Sequence, residues 1–102
     1  AQLNPTVGDL RGNCDLVRSA VSQALAGQAE LVVCSELVVS GYPPKDLLLR
    51  SGFAAACDEA VTALATSLPP AIGVIVGHPT HRGLSDGRVA NAASLLFGGR
   101  VV

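Results

Sequence analysis

The sequence predicts an α/β fold with a largely parallel sheet. Two observations lead to this prediction: apolar residues at helical spacing alternate with short β-branched runs, and the elements follow the order strand, helix, strand, helix, strand. The length of 102 residues fits one small domain or part of a larger one. The content of 49% hydrophobic residues is that of a folded domain rather than a disordered chain.

The first half of the chain is predicted to contain the end of a strand, a helix and a buried strand. Residues 1–4 have the pattern of a strand end, and Asn13 follows a turn as the predicted N-cap of a helix. Apolar residues then recur at helical spacing up to Gly27, which we expect to end the helix in the left-handed conformation. The β-branched run at residues 30–35 predicts a strand covered on both faces.

The second half of the chain is predicted to contain one helix and two further strands. The helix follows a turn rich in Gly and Pro, and two consecutive prolines end it. The chain closes on a glycine turn and the beginning of a hairpin. The predicted elements are a helix over 53–68, a buried strand over 71–77, a polar loop over 78–88 and a strand over 90–97.

Glu36 is the candidate functional residue, because it is a single carboxylate between two apolar runs. A charged group in such a place must be paired, hydrated or protonated to avoid a large desolvation penalty. Ligands of open α/β sheets collect at the carboxyl ends of the strands, and Glu36 lies just past such an end. Two interpretations stay open at this point: a partly exposed carboxylate that caps a loop, and a general base.

The three cysteines are interpreted as buried packing residues. Cys14, Cys34 and Cys57 are widely spaced and odd in number, which favours neither a disulfide framework nor a CxxC metal site. Cys34 lies two residues from Glu36, on the same side of an extended strand. A catalytic role for Cys34 is the weaker interpretation, because no basic residue nearby would lower the pKa of its thiol.

No metal, nucleic-acid or membrane site is predicted. His78, His81 and Asp86 have ligand-type side chains, but Pro79 prevents a regular helix from presenting the two imidazoles together. The glycines lack the spacing of a phosphate-binding loop. A net charge of −1 with scattered basic residues excludes an electrostatic footprint for nucleic acid, and no apolar run reaches membrane-spanning length. We therefore expect a soluble, cytoplasmic protein.

Four segments together resemble the nitrilase-like glutaminase domain of glutamine-dependent NAD synthetases, which belongs to the carbon-nitrogen hydrolase superfamily. The Glu-Leu pair followed by Gly-Tyr is shared across that superfamily, and the segment YPPKDLLLR is typical of the synthetase branch. The resemblance implies a four-layer α-β-β-α sandwich, of which residues 1–102 would be an N-terminal portion truncated at both ends. The four segments, in order, are AQLNPTVGDLRGN, ELVVSGYPPKDLLLR, GVIVGHP and NAASLLFGGRVV.

The resemblance also implies an activity. In the full-length protein, glutamine would be hydrolysed to supply ammonia for the ATP-dependent amidation of deamido-NAD to NAD. Glu36 matches the family's catalytic glutamate, which takes the proton from a nucleophilic cysteine while a lysine stabilises the oxyanion. That lysine and that cysteine belong to segments after Val102, and neither Lys45 nor any of the three cysteines replaces them. We therefore expect this chain alone to be inactive.

The same resemblance implies the cofactors and partners. It places no cofactor or metal in this segment and puts ATP with magnesium in a separate synthetase domain of the same chain. Glutamine is the implied substrate, and a homo-oligomer is implied by the family.

Two departures from the family pattern and two alternative functions remain. Ser35 stands where a proline usually precedes the glutamate, and Ala90 stands where a tyrosine commonly precedes the NAA motif. One alternative is a stand-alone amidase or nitrilase of the same superfamily. The other is a non-catalytic α/β domain that binds a small molecule or a partner, with Glu36 in a structural role. The sequence after Val102 would distinguish them.

Overall fold

The computed structural model describes residues 1–84 and 88–102. Within them lie two α-helices, one 3₁₀ helix and four strands, and the last three strands all follow the second α-helix. The 3₁₀ helix, Lys45–Leu49, lies between the first strand and the second helix. The other elements are α1 (Leu10–Ala26), β1 (Leu31–Val33), α2 (Phe53–Ser67), β2 (Gly73–Thr80), β3 (Ala90–Phe97) and β4 (Arg100–Val101).

The four strands form one sheet in the order β1-β2-β3-β4. β1 is parallel to β2, with Val32 opposite Val74, and α2 provides the crossover between them. β2 and β3 are antiparallel, as are β3 and β4. The α/β fold is confirmed, but the expectation of a largely parallel sheet is wrong beyond the first strand pair. Parallel strands need a long crossover, whereas the β2–β3 connection is a short loop that supports only a hairpin.

The strands differ from the predicted ones in three places. Residues 1–4, predicted to be the end of a strand, form no strand. β1 is shorter than the predicted strand over 30–35, and β2 continues to Thr80, into the predicted loop over 78–88. The extension exists because β3 pairs along the whole of β2, from Leu96 opposite Val74 to Ala90 opposite Thr80. The prediction of a strand over 90–97, followed by a glycine turn and a hairpin, is confirmed.

Both ends of α1 differ from the prediction. The N-cap is Asp9, whose carboxylate accepts a hydrogen bond from the amide of Gly12 at 3.0 Å, and Asn13 lies inside the helix. Gly27 has φ −87°, so the left-handed residue is its neighbour Gln28, with φ 63°. Before α1 both Asp9 and Asn13 are residues of capping type, and local spacing alone does not decide between them. After α1 the left-handed conformation falls one residue beyond the glycine that would take it without strain.

The core lies between the two helices and one face of the sheet. Val17 and Val21 of α1 and Val61 and Leu64 of α2 are buried against it. Every second residue of the strands faces this core, because successive side chains of a strand point to opposite faces of the sheet. These sheet residues are Val32, Val74, Val76 and Leu96.

The opposite face of the sheet carries apolar side chains that no described residue covers. Four of them are between 40% and 52% exposed, and Ile75 between them is partly buried. We call this surface the open face; its residues are Leu31, Val33, Ile75, Leu95 and Phe97. In the described ranges, no helix is both long enough and apolar enough to cross a membrane.

Candidate functional site

Glu36 begins the turn that follows β1, at the carboxyl end of the parallel strand pair. Its side chain is exposed, and the amide Nδ2 of Asn91 donates a hydrogen bond to its Oε1. Asn91 lies near the start of β3, also exposed, on the same edge of the sheet. The sequence predicted the position of Glu36 but not its partner, which comes from a strand far along the chain.

A cavity of about 390 Å³, open to solvent, is lined by both residues of this carboxylate–amide pair. Val33 and Ile75 belong both to this cavity and to the open face, so the cavity and the open face adjoin. The lining is mostly apolar with a few polar groups, which is typical of small-molecule sites. The lining residues are Val33, Cys34, Ser35, Glu36, Ile75, Gly77, Asn91, Ala92 and Ala93.

Gly77 of β2 allows the turn that carries Glu36 to lie directly on the sheet. A methyl group on Gly77 would be 2.5 Å from the amide nitrogen of Leu37 and 3.0 Å from both Glu36 Cα and the Ser35 carbonyl oxygen. The amide of Val39 donates to the carbonyl of Gly77 at 3.2 Å. The backbone of this turn therefore has a fixed position relative to β2.

The turn after Glu36 is buried and contains one strained residue. Leu37 has φ 54°, a conformation that costs a non-glycine residue about 1 kcal/mol. Its side chain is buried, as are those of Val38, Val39 and Ser40. Burial of four consecutive residues holds the turn in this conformation, so that Glu36 projects from a rigid segment.

The opening segment of the chain anchors the far end of the same turn. The buried side chain of Asn13 donates to the carbonyls of Thr6 and Val39, at 2.8 and 2.9 Å, and accepts from the amide of Thr6 at 2.8 Å. The amide of Gly8 donates to the carbonyl of Ser40 at 2.8 Å. Asn13 is therefore a link between α1 and the turn rather than a helix cap.

The three cysteines are buried thiols, as predicted. Burial raises the pKa of Cys14 and of Cys34. Burial, followed by the negative charge of Asp58, raises the pKa of Cys57 to about 12. Cys34 lines the cavity beside Glu36, but a raised pKa is the opposite of what a thiolate nucleophile requires.

The two histidines lie on either side of Asp58, since the Nδ1 of His78 is 3.7 Å from the Asp58 Oδ1. The Nδ1 of His78 donates to the carbonyl of Pro79 at 3.0 Å, and its Nε2 is hydrogen-bonded to the hydroxyl of Ser94 at 2.8 Å. The Nδ1 of His81 lies 2.7 Å from the carboxylate of Asp58. Asp86, the third residue considered as a ligand, lies outside the described residues. Across residues 1–84 and 88–102, no three ligand-type side chains are grouped to hold a metal ion.

Asp58 of α2 is a buried carboxylate that the sequence did not reveal as special. It accepts from the hydroxyl of Thr80 at 2.7 Å and from the backbone amide of His81 at 3.2 Å, and Arg82 lies 3.9 Å away. Burial alone would raise its pKa, but the hydrogen bonds from Thr80 and His81 and the charge of Arg82 outweigh it and lower the pKa. Asp58 therefore ties the end of β2 to α2, away from the Glu36 cavity.

Known proteins resemble this chain in sequence along its whole length. The glutamine-dependent NAD(+) synthetase of Synechocystis sp. is 39% identical over 105 residues, which cover 99% of this chain and 19% of that protein. The chain thus spans about a fifth of the length of the curated relatives it matches, in their N-terminal part. No protein-family model matches the chain.

Solved structures share the fold. The glutamine-dependent NAD+ synthetase of Acinetobacter baumannii, solved in complex with ADP, superposes on 100% of this chain and 19% of that one, with TM-score 0.86 and 28% identity. An amidase from Nesterenkonia sp. covers 99% of this chain and 38% of its own, with TM-score 0.78 and 22% identity. That amidase belongs to the nitrilase superfamily, and a glutamate-to-glutamine variant of it shows acrylamide added at the active-site cysteine.

The expected nitrilase-like α/β fold is thereby confirmed. The match in sequence over the whole chain and the match in fold lead to one conclusion: the chain belongs to the glutamine-dependent NAD synthetase family, in the part of those proteins that has the nitrilase-like fold.

Proposed function

We propose that this chain is the N-terminal portion of a glutaminase domain, and that Glu36 is the general base of glutamine hydrolysis. The full-length protein would use the released ammonia to amidate deamido-NAD to NAD at the expense of ATP. The observation that carries the proposal is the exposed carboxylate of Glu36, hydrogen-bonded in a cavity at the end of β1. The chain in which it lies matches synthetases of that specificity over its whole length.

The proposed chemistry requires a nucleophile that this segment does not supply. Each of the three cysteines is a buried thiol with a raised pKa, so we assign the nucleophile and the oxyanion-stabilising lysine to another part of the full-length protein. Glu36 would take the proton of that cysteine, whose sulfur then attacks the amide carbon of glutamine. The protonated Glu36 would return the proton to the leaving ammonia as the thioester forms. Water would hydrolyse the thioester and release glutamate.

The remaining assignments follow from the same proposal. ATP with magnesium would bind in a synthetase domain of the same chain, which the ADP complex of the Acinetobacter baumannii enzyme supports. Glutamine is the proposed substrate of the cavity around Glu36. We propose a cytoplasmic homo-oligomer, in keeping with the composition and the family.

A stand-alone amidase of the nitrilase superfamily is the second candidate function. The amidase from Nesterenkonia sp. shares the fold over nearly the whole chain, so the fold alone does not separate the two activities. Formation of NAD from deamido-NAD, ATP and free ammonia by the full-length protein distinguishes them, because an amidase has no such activity.

The test is a pair of assays on the full-length protein carrying Glu36→Gln. This change keeps the shape of the side chain and removes the proton acceptor. We expect glutamine-driven NAD synthesis to fall by about 10²- to 10⁴-fold, the usual contribution of general acid-base catalysis. Synthesis from free ammonia should be unchanged, because it bypasses the glutaminase site. Glu59→Gln, the same change at an exposed position of α2, is the matched control and should alter neither assay.

Two outcomes would contradict the proposal. Glutamine-driven synthesis close to that of the unmodified protein would mean that Glu36 is not the base. Loss of both activities, together with a lower thermal midpoint, would mean that Glu36 has a structural role.

A further inference from the structure

We infer that Asn91 is a positioning residue for Glu36: its side-chain amide holds one carboxylate oxygen, so that the other is directed to the nucleophile. The inference rests on the proposed function of Glu36 and adds to it a second residue of the site. The contact that carries it is the hydrogen bond from Asn91 Nδ2 to Glu36 Oε1. Within the described part of the chain, no side-chain hydrogen bond reaches Oε2 of Glu36.

The sheet fixes the relative position of these two residues. Gly77 of β2 lies beneath the turn that carries Glu36, and Gly77 is paired with Ala93 of β3. Asn91 lies two residues from Ala93 on the same strand and therefore on the same face. The antiparallel pair of β2 and β3 therefore fixes the positions of both Glu36 and Asn91. Strands position side chains more precisely than loops do.

The chemistry of an amide suits this task. A carboxylate that acts as a base needs one oxygen within hydrogen-bond reach of the proton that it accepts, and a hydrogen bond to the other oxygen fixes its orientation. A lysine or arginine in the same place would also orient the carboxylate, but its full charge would weaken the base. The neutral amide of Asn91 orients Oε1 without a charge of its own, and it does not titrate.

The test compares Asn91→Ala with Asn4→Ala in the full-length protein. Asn4 is exposed and lies in the opening segment, so it provides the same chemical change away from the cavity. We expect Asn91→Ala to lower kcat of glutamine hydrolysis by about 10- to 100-fold, the usual effect of losing a hydrogen bond to a charged group. The KM for glutamine and the ammonia-driven rate should stay within a factor of about two to three. Asn4→Ala should change none of these quantities.

A double-mutant cycle then shows whether Asn91 acts through Glu36. If it does, Asn91→Ala should reduce the residual glutaminase rate by less than about threefold when Glu36→Gln is already present, because the group that it positions has been removed. A full 10- to 100-fold loss in that background would overturn the inference. An unchanged kcat for the single variant Asn91→Ala would overturn it as well.

The outcomes also separate this inference from the proposed function. If Glu36→Gln abolishes glutamine-driven synthesis while Asn91→Ala has no effect, the proposed function stands and the positioning role is wrong. If Glu36→Gln has no effect, the proposed function itself fails. Loss of the ammonia-driven rate and a lower thermal midpoint in Asn91→Ala would mean that Asn91 is needed for folding, which contradicts the positioning role.

Discussion

Gly77 is the residue on which the geometry around Glu36 depends most directly. The atoms that a methyl group there would meet belong to the backbone of the turn, so no side-chain rotation relieves the clash. We expect Gly77→Ala to displace the turn, to lower stability by about 1 to 3 kcal/mol and to reduce glutaminase activity. Gly27→Ala after α1 is the control, because Gly27 has φ −87° and a methyl group there would be 3.5 Å from the nearest atom, the carbonyl oxygen of Ala24.

The measurement for this prediction is glutamine-driven synthesis, ammonia-driven synthesis and thermal midpoint for both glycine variants of the full-length protein. Equal effects of the two substitutions would show that close backbone approach at Gly77 is not what holds the turn.

Asp58 makes the free energy of unfolding depend on pH at acidic pH values. Its pKa is lowered in the folded protein, so its contribution to stability is complete above the usual aspartate pKa of about 3.9 and is lost as the pH falls through the lowered folded value. We expect Asp58→Asn to cost about 1 to 3 kcal/mol at pH 7, where the ionised acceptor is lost, and to flatten the acid-side fall in stability. Urea unfolding at a series of pH values measures both effects.

The control for Asp58 is Asp46→Asn, at an exposed position in the 3₁₀ helix. An acid-side profile that is as steep in Asp58→Asn as in the unmodified protein would contradict the assignment of this pH dependence to Asp58.

At the scale of elements, the C-terminus of α1 is weakened by a non-glycine residue in the left-handed conformation. Gln28 adopts φ 63° while its amide donates to the carbonyl of Leu25 and the next amide, of Ala29, donates to Ala24, the hydrogen-bond pattern of a Schellman motif. Glycine takes this conformation without steric cost. We expect Gln28→Gly to raise stability by about 0.5 to 1 kcal/mol without changing activity, as measured by thermal unfolding. Gln23→Gly inside the helix should destabilise instead, and a loss of stability in both variants would refute the explanation.

Elements could be predicted from the sequence where a local pattern decides them. The apolar period predicted both helices, and β-branched runs predicted β1 and β2, because these patterns depend on which side chains are buried. The sheet direction after β2 and the partner of Glu36 depend on pairing between distant strands, which spacing within one segment does not record. Asp58 was missed although it interrupts the buried stripe of α2 between Ala54 and Val61, where an acid requires a partner.

For the whole molecule, the open face bears on the proposal that this chain is part of a larger domain. Four exposed apolar side chains on one sheet surface form a patch of the kind that marks a contact with further protein. In the proposed four-layer sandwich, a second sheet from the full-length protein would cover it. The isolated chain should therefore associate with itself, while the full-length protein should not.

Leu95→Ser tests this expectation through effects of opposite sign. In the isolated chain it should increase the soluble monomeric fraction, since it reduces the exposed apolar patch. In the full-length protein it should lower stability by about 2 kcal/mol or more, since a buried leucine would be lost. Leu49→Ser, at a residue that is 85% exposed outside the sheet, should do neither. Size-exclusion chromatography and thermal unfolding measure the two effects, and equal effects in the two proteins would argue against a covered face.

The register between β2 and β3 restricts where this gene can tolerate insertions and deletions. Side chains alternate along β3, so one codon added between Asn91 and Leu96 would exchange the faces of the strand. Leu96 would leave the core while Asn91 kept its place, or Asn91 would turn away from Glu36 while Leu96 kept its own. Length variation among natural variants of this hairpin should therefore fall before Ala90, in the connecting loop, where added codons leave the pairing of the strands unchanged.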